Sequence, residues 1–277
     1  MLNDITFGQF IDTNSCLHKL DPRAKLLYLI VYIVLIFSAS DFIPLIFLSV
    51  FLIFLMCISK IPVSMYLKNI KTILPIIIIT ALLNMFYAGG GDVLFKWWVF
   101  SVSVGGIKRA VFMTLRIILL ILSSAILSYT TSPTSLTAAI ESLLKPLSLI
   151  GLGNAVHTMA MTMTIALRFI PTLIEETQKI MNAQKARGAD LESGGVIKRI
   201  KALLPILIPL LISSVRRAYE LAEAMECRCY NGGKGRTKFR VMKFSAIDWV
   251  SVIIIALVST AAVLLNIFNS QIISLFL

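Results

Sequence analysis

The sequence predicts an all-α, polytopic integral membrane protein: a helical bundle with a cytoplasmic coupling domain of long kinked helices inserted before its last span. Three observations carry this. The 277 residues are 58% hydrophobic and only 14% charged, where a soluble domain carries about a quarter charged residues, and the mean hydropathy is +0.89. The apolar residues fall in blocks near the roughly 20 residues that cross a bilayer as a helix. Lipid leaves no backbone polar group unpaired at low cost, so such blocks are helices rather than loops or open strands.

The first block, Ala24 to Ser40, opens after Asp21-Pro22, an acidic N-cap followed by proline. Asp41 breaks the run, and Phe42 to Ser59 forms a second block; both are short, so Lys25 and Lys60 are expected to snorkel. A third block, Thr72 to Ala88, contains Pro75 and ends at Gly89-Gly90-Gly91-Asp92. Val93 to Val104 alternates and reads as an extended or hairpin-like loop, with Trp97 and Trp98 suited to the headgroup region. The fourth block runs from Ile107 to Tyr129 and leaves through Thr130-Thr131-Ser132-Pro133; the last is Trp249 to Phe268. Five spans give three sections: 1–132 with four spans, 133–245 as a cytoplasmic domain, and 246–277 with the last span. Arg116 lies within a span and is expected to face protein or water.

Orientation follows from the basic residues. Lys19, Arg23 and Lys25 precede the first span, Lys60, Lys68 and Lys71 lie between the second and third, and sixteen more lie between Pro133 and Asp248. The positive-inside rule places the N-terminus and the 133–245 domain in the cytoplasm and the C-terminus outside. Lys96, Lys108 and Arg109 run against it without reversing it. The N-terminus lacks a basic region followed by an apolar core and a cleavage site, so no cleaved signal peptide is expected. A net charge of +12 in a chain with these blocks points to a membrane surface or an acidic protein partner, not to nucleic acid.

Within the 133–245 section a short helix is expected from Ser135 to Ile150, interrupted at Pro146. Two long ones follow, Asn154 to Arg187 through Pro171 and Val196 to Tyr230 through Pro205 and Pro209, each expected to kink or restart at its prolines. Their apolar parts would each pass as a weak span, which makes seven spans the alternative. Both run straight into charged amphipathic helix, which favours helices lying along the membrane surface.

The two long helices are related. One reads IPTLIEETQKIMNAQKARGAD from Ile170, the other IPLLISSVRRAYELAEAMECRCYNGG from Ile208. Each ends in an arginine between small residues, Ala186-Arg187-Gly188 and Cys227-Arg228-Cys229, with Ala183 and Ala224 four residues earlier. Proline to arginine is 16 residues in one and 19 in the other, a difference of under one turn. Slim flanks let such a tip enter a groove, and a guanidinium pairs with carboxylates through a rigid donor fork. An ordinary capping arginine explains either tip alone; the matched pair favours a duplicated docking device.

These residues carry a family resemblance. The chain resembles the T component (EcfT/CbiQ-type transmembrane coupling protein) of energy-coupling factor (ECF) ABC transporters. The matching residues are His18-Lys19-Leu20-Asp21-Pro22-Arg23-Ala24-Lys25, Arg168-Phe169-Ile170-Pro171-Thr172-Leu173 with Glu175-Glu176, and Ala183-Gln184-Lys185-Ala186-Arg187-Gly188. Pro209-Leu210, Arg216-Arg217-Ala218, Ala224-Met225-Glu226 and Arg236-Thr237 extend it. The family usually has Ala-Arg-Gly at both tips; the second here is Cys-Arg-Cys, and Gly232 and Gly233 are candidates to end that helix instead. The resemblance implies two cytoplasmic ABC-type ATPase subunits, with Arg187 and Arg228 each entering a groove on one. It also implies a membrane-embedded S component that binds a vitamin or transition-metal ion, in the plasma membrane of a prokaryote. Met159, Met161 and Met163 would then offer S components an adaptable surface, though a plain lipid- or core-facing run of methionines explains them equally well.

No catalytic, cofactor or metal site is expected. Asn231-Gly232-Gly233-Lys234-Gly235-Arg236-Thr237 has the wrong spacing for a phosphate-binding loop. His18 and His157 lie outside any cluster with ligand spacing, and His18 is expected to order the entry to the first span. Adjacent Glu175 and Glu176 diverge by about 100° on a helix, which suits a solvated face or pairing with neighbouring bases. Cys16, Cys57, Cys227 and Cys229 are expected to be reduced thiols. The rival functions are an intramembrane lipid-modifying enzyme, which needs paired acids at its spans, and a solitary secondary transporter, which needs broken or polar midspans.

Overall fold

The computed structural model describes residues 10–11, 13–87, 93–97, 100–189, 195–232 and 244–276. Gly89 to Asp92, Trp98, and Gly233 to Thr237 lie outside them. Among the described residues the chain is all-α apart from one hairpin. Its elements are α1 (Cys16–Lys19), α2 (Pro22–Ser38), α3 (Phe42–Ser59), α4 (Val63–Tyr87), β1 (Val93–Trp97), β2 (Phe100–Ser103) and α5 (Val104–Thr130). Then come α6 (Pro133–Leu144), a 3-10 turn (Lys145–Ile150), α7 (Gly153–Ala186), α8 (Val196–Cys227) and α9 (Ala246–Phe276). They form two compact units, one of Gly8–Leu136 with Val241–Leu277, the other holding Thr137–Arg240.

The first unit is the membrane bundle. Among the described residues four helices are long and apolar enough to cross a bilayer: Phe42–Ser59, Val63–Phe86, Val104–Thr130 and Ala246–Phe268. The fifth expected span is α2, one residue shorter than the 18 of α3; α7 and α8 are not among them. The core holds Ile36, Leu45 and Leu48 at zero exposure, with Leu119 of α5 and Ala262 of α9 packed into the same cluster. Tyr32, buried on α2, donates its hydroxyl to the Leu48 carbonyl at 2.8 Å. On the outward faces of α3 and α4, Val50, Ile53, Ile76 and Ile79 are exposed, as lipid contact requires.

Two features depart from expectation. Helix α4 begins at Val63, nine residues before the apolar block. Its polar first turns hide one buried face: Tyr66 meets Tyr129 edge-on, with centroids 5.4 Å apart, and shares a hydrogen bond with Ser59. Lys68 and Lys71 masked that face in the sequence. The second concerns the prolines, where a kink or a restart was expected: neither helix restarts, α7 continuing through Pro171, and α8 through Pro205 and Pro209. A proline removes one i→i−4 bond, and 34- and 32-residue helices retain enough others on both sides to stay helical. The hairpin was anticipated: β1 and β2 pair antiparallel, with Trp97 opposite Phe100 and an irregularity between Val93 and Phe95.

Arg116 faces protein. Its Nη2 donates to the Ala39 carbonyl at 2.6 Å, just past the end of α2, and its guanidinium lies 4.7 Å from the Phe112 ring centroid. Near the same end of the bundle Asn266 of α9 accepts from the Ser40 N–H at 3.2 Å and donates to the Ser38 carbonyl at 2.9 Å.

The opposite end is gathered by the N-terminal segment. His18 Nε2 donates to the Ile11 carbonyl at 2.7 Å, which leaves Nδ1 to accept from Ser15 Oγ at 2.7 Å. Thr13 Oγ1 donates to the Ser59 carbonyl at the end of α3, and the Ile11 N–H to the Tyr129 carbonyl near the end of α5. Lys25 Nζ donates to the Thr130 carbonyl at 2.9 Å, placing a cation at a helix C-terminus. Asp21 caps α2 through the Arg23 N–H. Asp248, 1% exposed, accepts the Ser245 N–H at the start of α9 on one oxygen (2.7 Å) and the Asp21 N–H on the other (2.8 Å). Tyr28 donates to Ser251 Oγ at 2.7 Å, which in turn donates to the Asp248 carbonyl.

Replacing Tyr32 with phenylalanine removes one buried hydrogen bond and no volume of consequence. The expected loss is about 1 kcal/mol, measured as an earlier unfolding midpoint of the purified chain in a denaturing-detergent titration.

Candidate functional site

The paired arginine ends belong to the unit holding Thr137–Arg240. Ser132 and Pro133 lead into it: Ser132 Oγ accepts the Ser135 N–H, and Pro133 is the first residue of α6, the favoured order for a helix start. Helices α7 and α8 then form an antiparallel pair. Glu176 of α7 accepts from Ser213 Oγ and, at 2.6 Å, from Arg217 Nη2 of α8. Earlier on α7, Ile165 and Phe169 share a groove with Leu221 and Met225, later on α8.

This pairing sets the tips. Arg187 lies eleven residues beyond Glu176, and Arg228 eleven beyond Arg217. At 1.5 Å per residue each end stands roughly 16 Å from the Glu176–Arg217 contact. Because the helices run antiparallel, the two ends lie on opposite sides of it. Both arginines are exposed, as are Ala186, Gly188, Cys227 and Cys229.

The two endings are the same motif. After α7, the Gly188 N–H donates to the Lys185 carbonyl and the Ala189 N–H to the Gln184 carbonyl, both at 3.0 Å. After α8, the Cys229 N–H donates to the Glu226 carbonyl at 2.8 Å and the Tyr230 N–H to the Met225 carbonyl at 3.0 Å. This is the Schellman pattern, with the residue after the cap left-handed. That residue is Gly188 at φ +82° in one and Cys229 at φ +54° in the other. Arg187 and Arg228 are therefore both cap residues, at φ −84° and −91°. Cys229 itself ends α8; Gly232, at φ +74°, turns the chain three residues later. A cysteine in this region carries the steric cost that glycine avoids; Met225 and Tyr230, joined by the second of these bonds, both line the groove.

The two helices are thus joined by a charged pair that sequence reading placed only loosely, as a glutamate paired with some neighbouring base. Ser213 Oγ, together with the Arg217 guanidinium, holds the Glu176 carboxyl below the usual carboxylate range. Glu175 next to it is exposed. His157 Nδ1 lies 3.8 Å from Glu141 Oε1. Among the described residues no cluster of His, Cys, Asp or Glu is arranged to hold a metal ion, and all four cysteines are free thiols.

Gly188→Ala places a side chain in a left-handed position and is expected to destabilise the end of α7 by about 1 kcal/mol, whereas Cys229→Gly relieves the end of α8 by a similar amount. Amide exchange over 184–189 and 225–230 reads both, faster in the first variant and slower in the second. The carboxylate of Glu176 is favoured in the folded state, so the stability it contributes is present above the ordinary glutamate pKa of 4.5 and is lost as pH falls through its lowered value. Amide exchange or proteolysis along α7 and α8 is expected to rise below about pH 4.5, and Glu176→Gln is expected to remove that pH dependence.

Comparison with known proteins identifies the chain. The family model described as CbiQ, cobalt transport protein, matches residues 13–241. Proteins named energy-coupling factor transporter transmembrane protein EcfT are similar over nearly the whole length. The one from Clostridium kluyveri is 50% identical over 252 residues, 91% of this chain and 93% of the relative. That from Acidaminococcus fermentans is 48% identical over 90% of this chain and 91% of the relative. That from Bacillus subtilis is 40% identical over 95% and 98%. With the membrane bundle and the twin arginine-capped helices in place, the chain belongs to the EcfT/CbiQ family of energy-coupling factor transporter transmembrane proteins.

Proposed function

We propose that this chain is the coupling subunit of an energy-coupling factor importer, gripped by two ABC-type ATPase subunits through Arg187 and Arg228. The observation that carries the reading is the matched geometry of the two ends. Each presents an exposed arginine at the cap of a Schellman ending, flanked by small residues, eleven residues beyond one ion pair and on opposite sides of it. A pair of similar sockets on two ATPase subunits is the partner this arrangement fits. Ala186 and Gly188 at one tip, and Cys227 and Cys229 at the other, keep the approach clear for a guanidinium seeking carboxylates.

ATP hydrolysis then takes place on those partners, and this chain carries the resulting motion. The unit of 133–245 and the N-terminus face the cytoplasm, and the C-terminus faces outward, as the distribution of lysine and arginine supports. A membrane-embedded S component holds the substrate, a vitamin or transition-metal ion. An exposed apolar stripe on α8, including Leu204, Leu207, Ile208 and Leu211, offers it a surface; exposed Met159 and Met163 on α7 add side chains that repack at little cost. Nothing favours the rival enzyme: of the buried acids among the described residues, Asp21 and Asp248, both accept backbone N–H groups.

Charge reversal tests the tips. Arg187→Glu or Arg228→Glu is expected to reduce the ATPase recovered with the affinity-tagged chain, and the double variant to abolish it. A buried arginine contact replaced by like charge costs on the order of several kcal/mol. Full recovery of ATPase with the double variant overturns the assignment.

A further inference from the structure

The His18-to-Lys25 segment has no part in the docking tips, yet its side chains are among the most closely held in the bundle. Their partners share a location along the chain. The polypeptide leaves the bundle unit after Leu136 and returns to it at Val241. Lys25 holds the Thr130 carbonyl, six residues before the exit. Asp248, seven residues after the return, is tied to the Asp21 N–H on one oxygen and to the Ser245 N–H on the other. Lys25 and Asp21 lie one helical turn apart at the start of α2. One short stretch of chain therefore fastens the end of α5 and the start of α9, the bundle helices nearest the exit and the return, to the start of α2.

The chemistry suits a firm tie among these three helices. Lys25 and Asp248 are 8% and 1% exposed. A buried charge left without its partner is costly, so each group resists separation from the other bonds of the set. The N–H and C=O groups involved are those that helices α5 and α9 leave unpaired at their ends. Thr13 and Ile11 extend the fastening to the ends of α3 and α5, so three bundle helices are gripped besides α2.

We propose that Lys25 and Asp248 are positioning residues that carry movement of the coupling unit into the bundle, by tying the end of α5 and the start of α9 to the start of α2. The proposal rests on the coupling reading given above, and it assigns these residues to transmission, not to docking.

The test uses the complete complex purified with its ATPases, with amide exchange followed before and after Mg-ATP and orthovanadate. In the unaltered complex, exchange over 126–132 and 245–252 is expected to change roughly threefold on trapping nucleotide. In Lys25→Met the ATPases are expected to bind and hydrolyse within about twofold of normal, with the nucleotide response confined to 137–240. A Lys25→Met complex whose bundle ends respond as before overturns the proposal, and so does an unaltered complex whose bundle ends do not respond. Should Lys25→Met fail to assemble, Tyr28→Phe removes a single hydroxyl from the same set; loss of the bundle response supports the proposal and an undiminished response overturns it. If the unaltered chain brings down no ATPase at all, it is the coupling reading that fails.

Discussion

One carboxylate determines how the unit of Thr137–Arg240 is built. Glu176 accepts from Ser213 and Arg217 together, and those bonds are what register α7 against α8. The helices carry prolines in their interiors and few buried side chains, so packing alone would leave their relative slide poorly defined. A two-armed polar contact defines it, because a guanidinium and a hydroxyl meet the same carboxylate in only one alignment. From that alignment follow the antiparallel sense, the equal reach of the two ends, and the groove in which Phe169 and Met225 lie. The contact is partly exposed, with Glu176 at 22% and Arg217 at 36% side-chain exposure. Its value is therefore geometric more than energetic.

The membrane unit follows a different rule. Its apolar side chains gain little by choosing a helix over lipid, so its order depends on polar groups that lipid cannot satisfy. Those groups sit at both ends of the bundle. At one, Asn266 and Arg116 complete the turn between α2 and α3. At the other, Lys25, Asp21 and Asp248 complete the starts and ends of α2, α5 and α9.

The spans, the hairpin and the twin arginines were legible because each has a local signal: block hydropathy, alternation with aromatic residues, and a repeated small–Arg–small ending. Other features were legible only in kind. Arg116 was expected to face protein or water, and its partner, the Ala39 carbonyl, lies 77 residues away; Glu176 was expected on a solvated face or against a neighbouring base, and Arg217 is 41 away. Periodicity carries no information on such pairs. The first turns of α4 were missed because their buried face is one tyrosine between lysines. Pro171, Pro205 and Pro209 read as kinks or restarts because local propensity weighs the lost hydrogen bond and not the length of helix on either side. Gly232 and Gly233 stood as candidates to end α8 instead of Cys229, since propensity favours glycine in a left-handed position. The surrounding Schellman bonds overrode it.

That cysteine makes the two tips unequal. Gly188 sits in its left-handed well at ease, whereas Cys229 is held there against its own preference, so the second ending is the easier of the two to unwind. If both tips dock as proposed, an equal push on the two ends meets a firmer terminus at α7 than at α8.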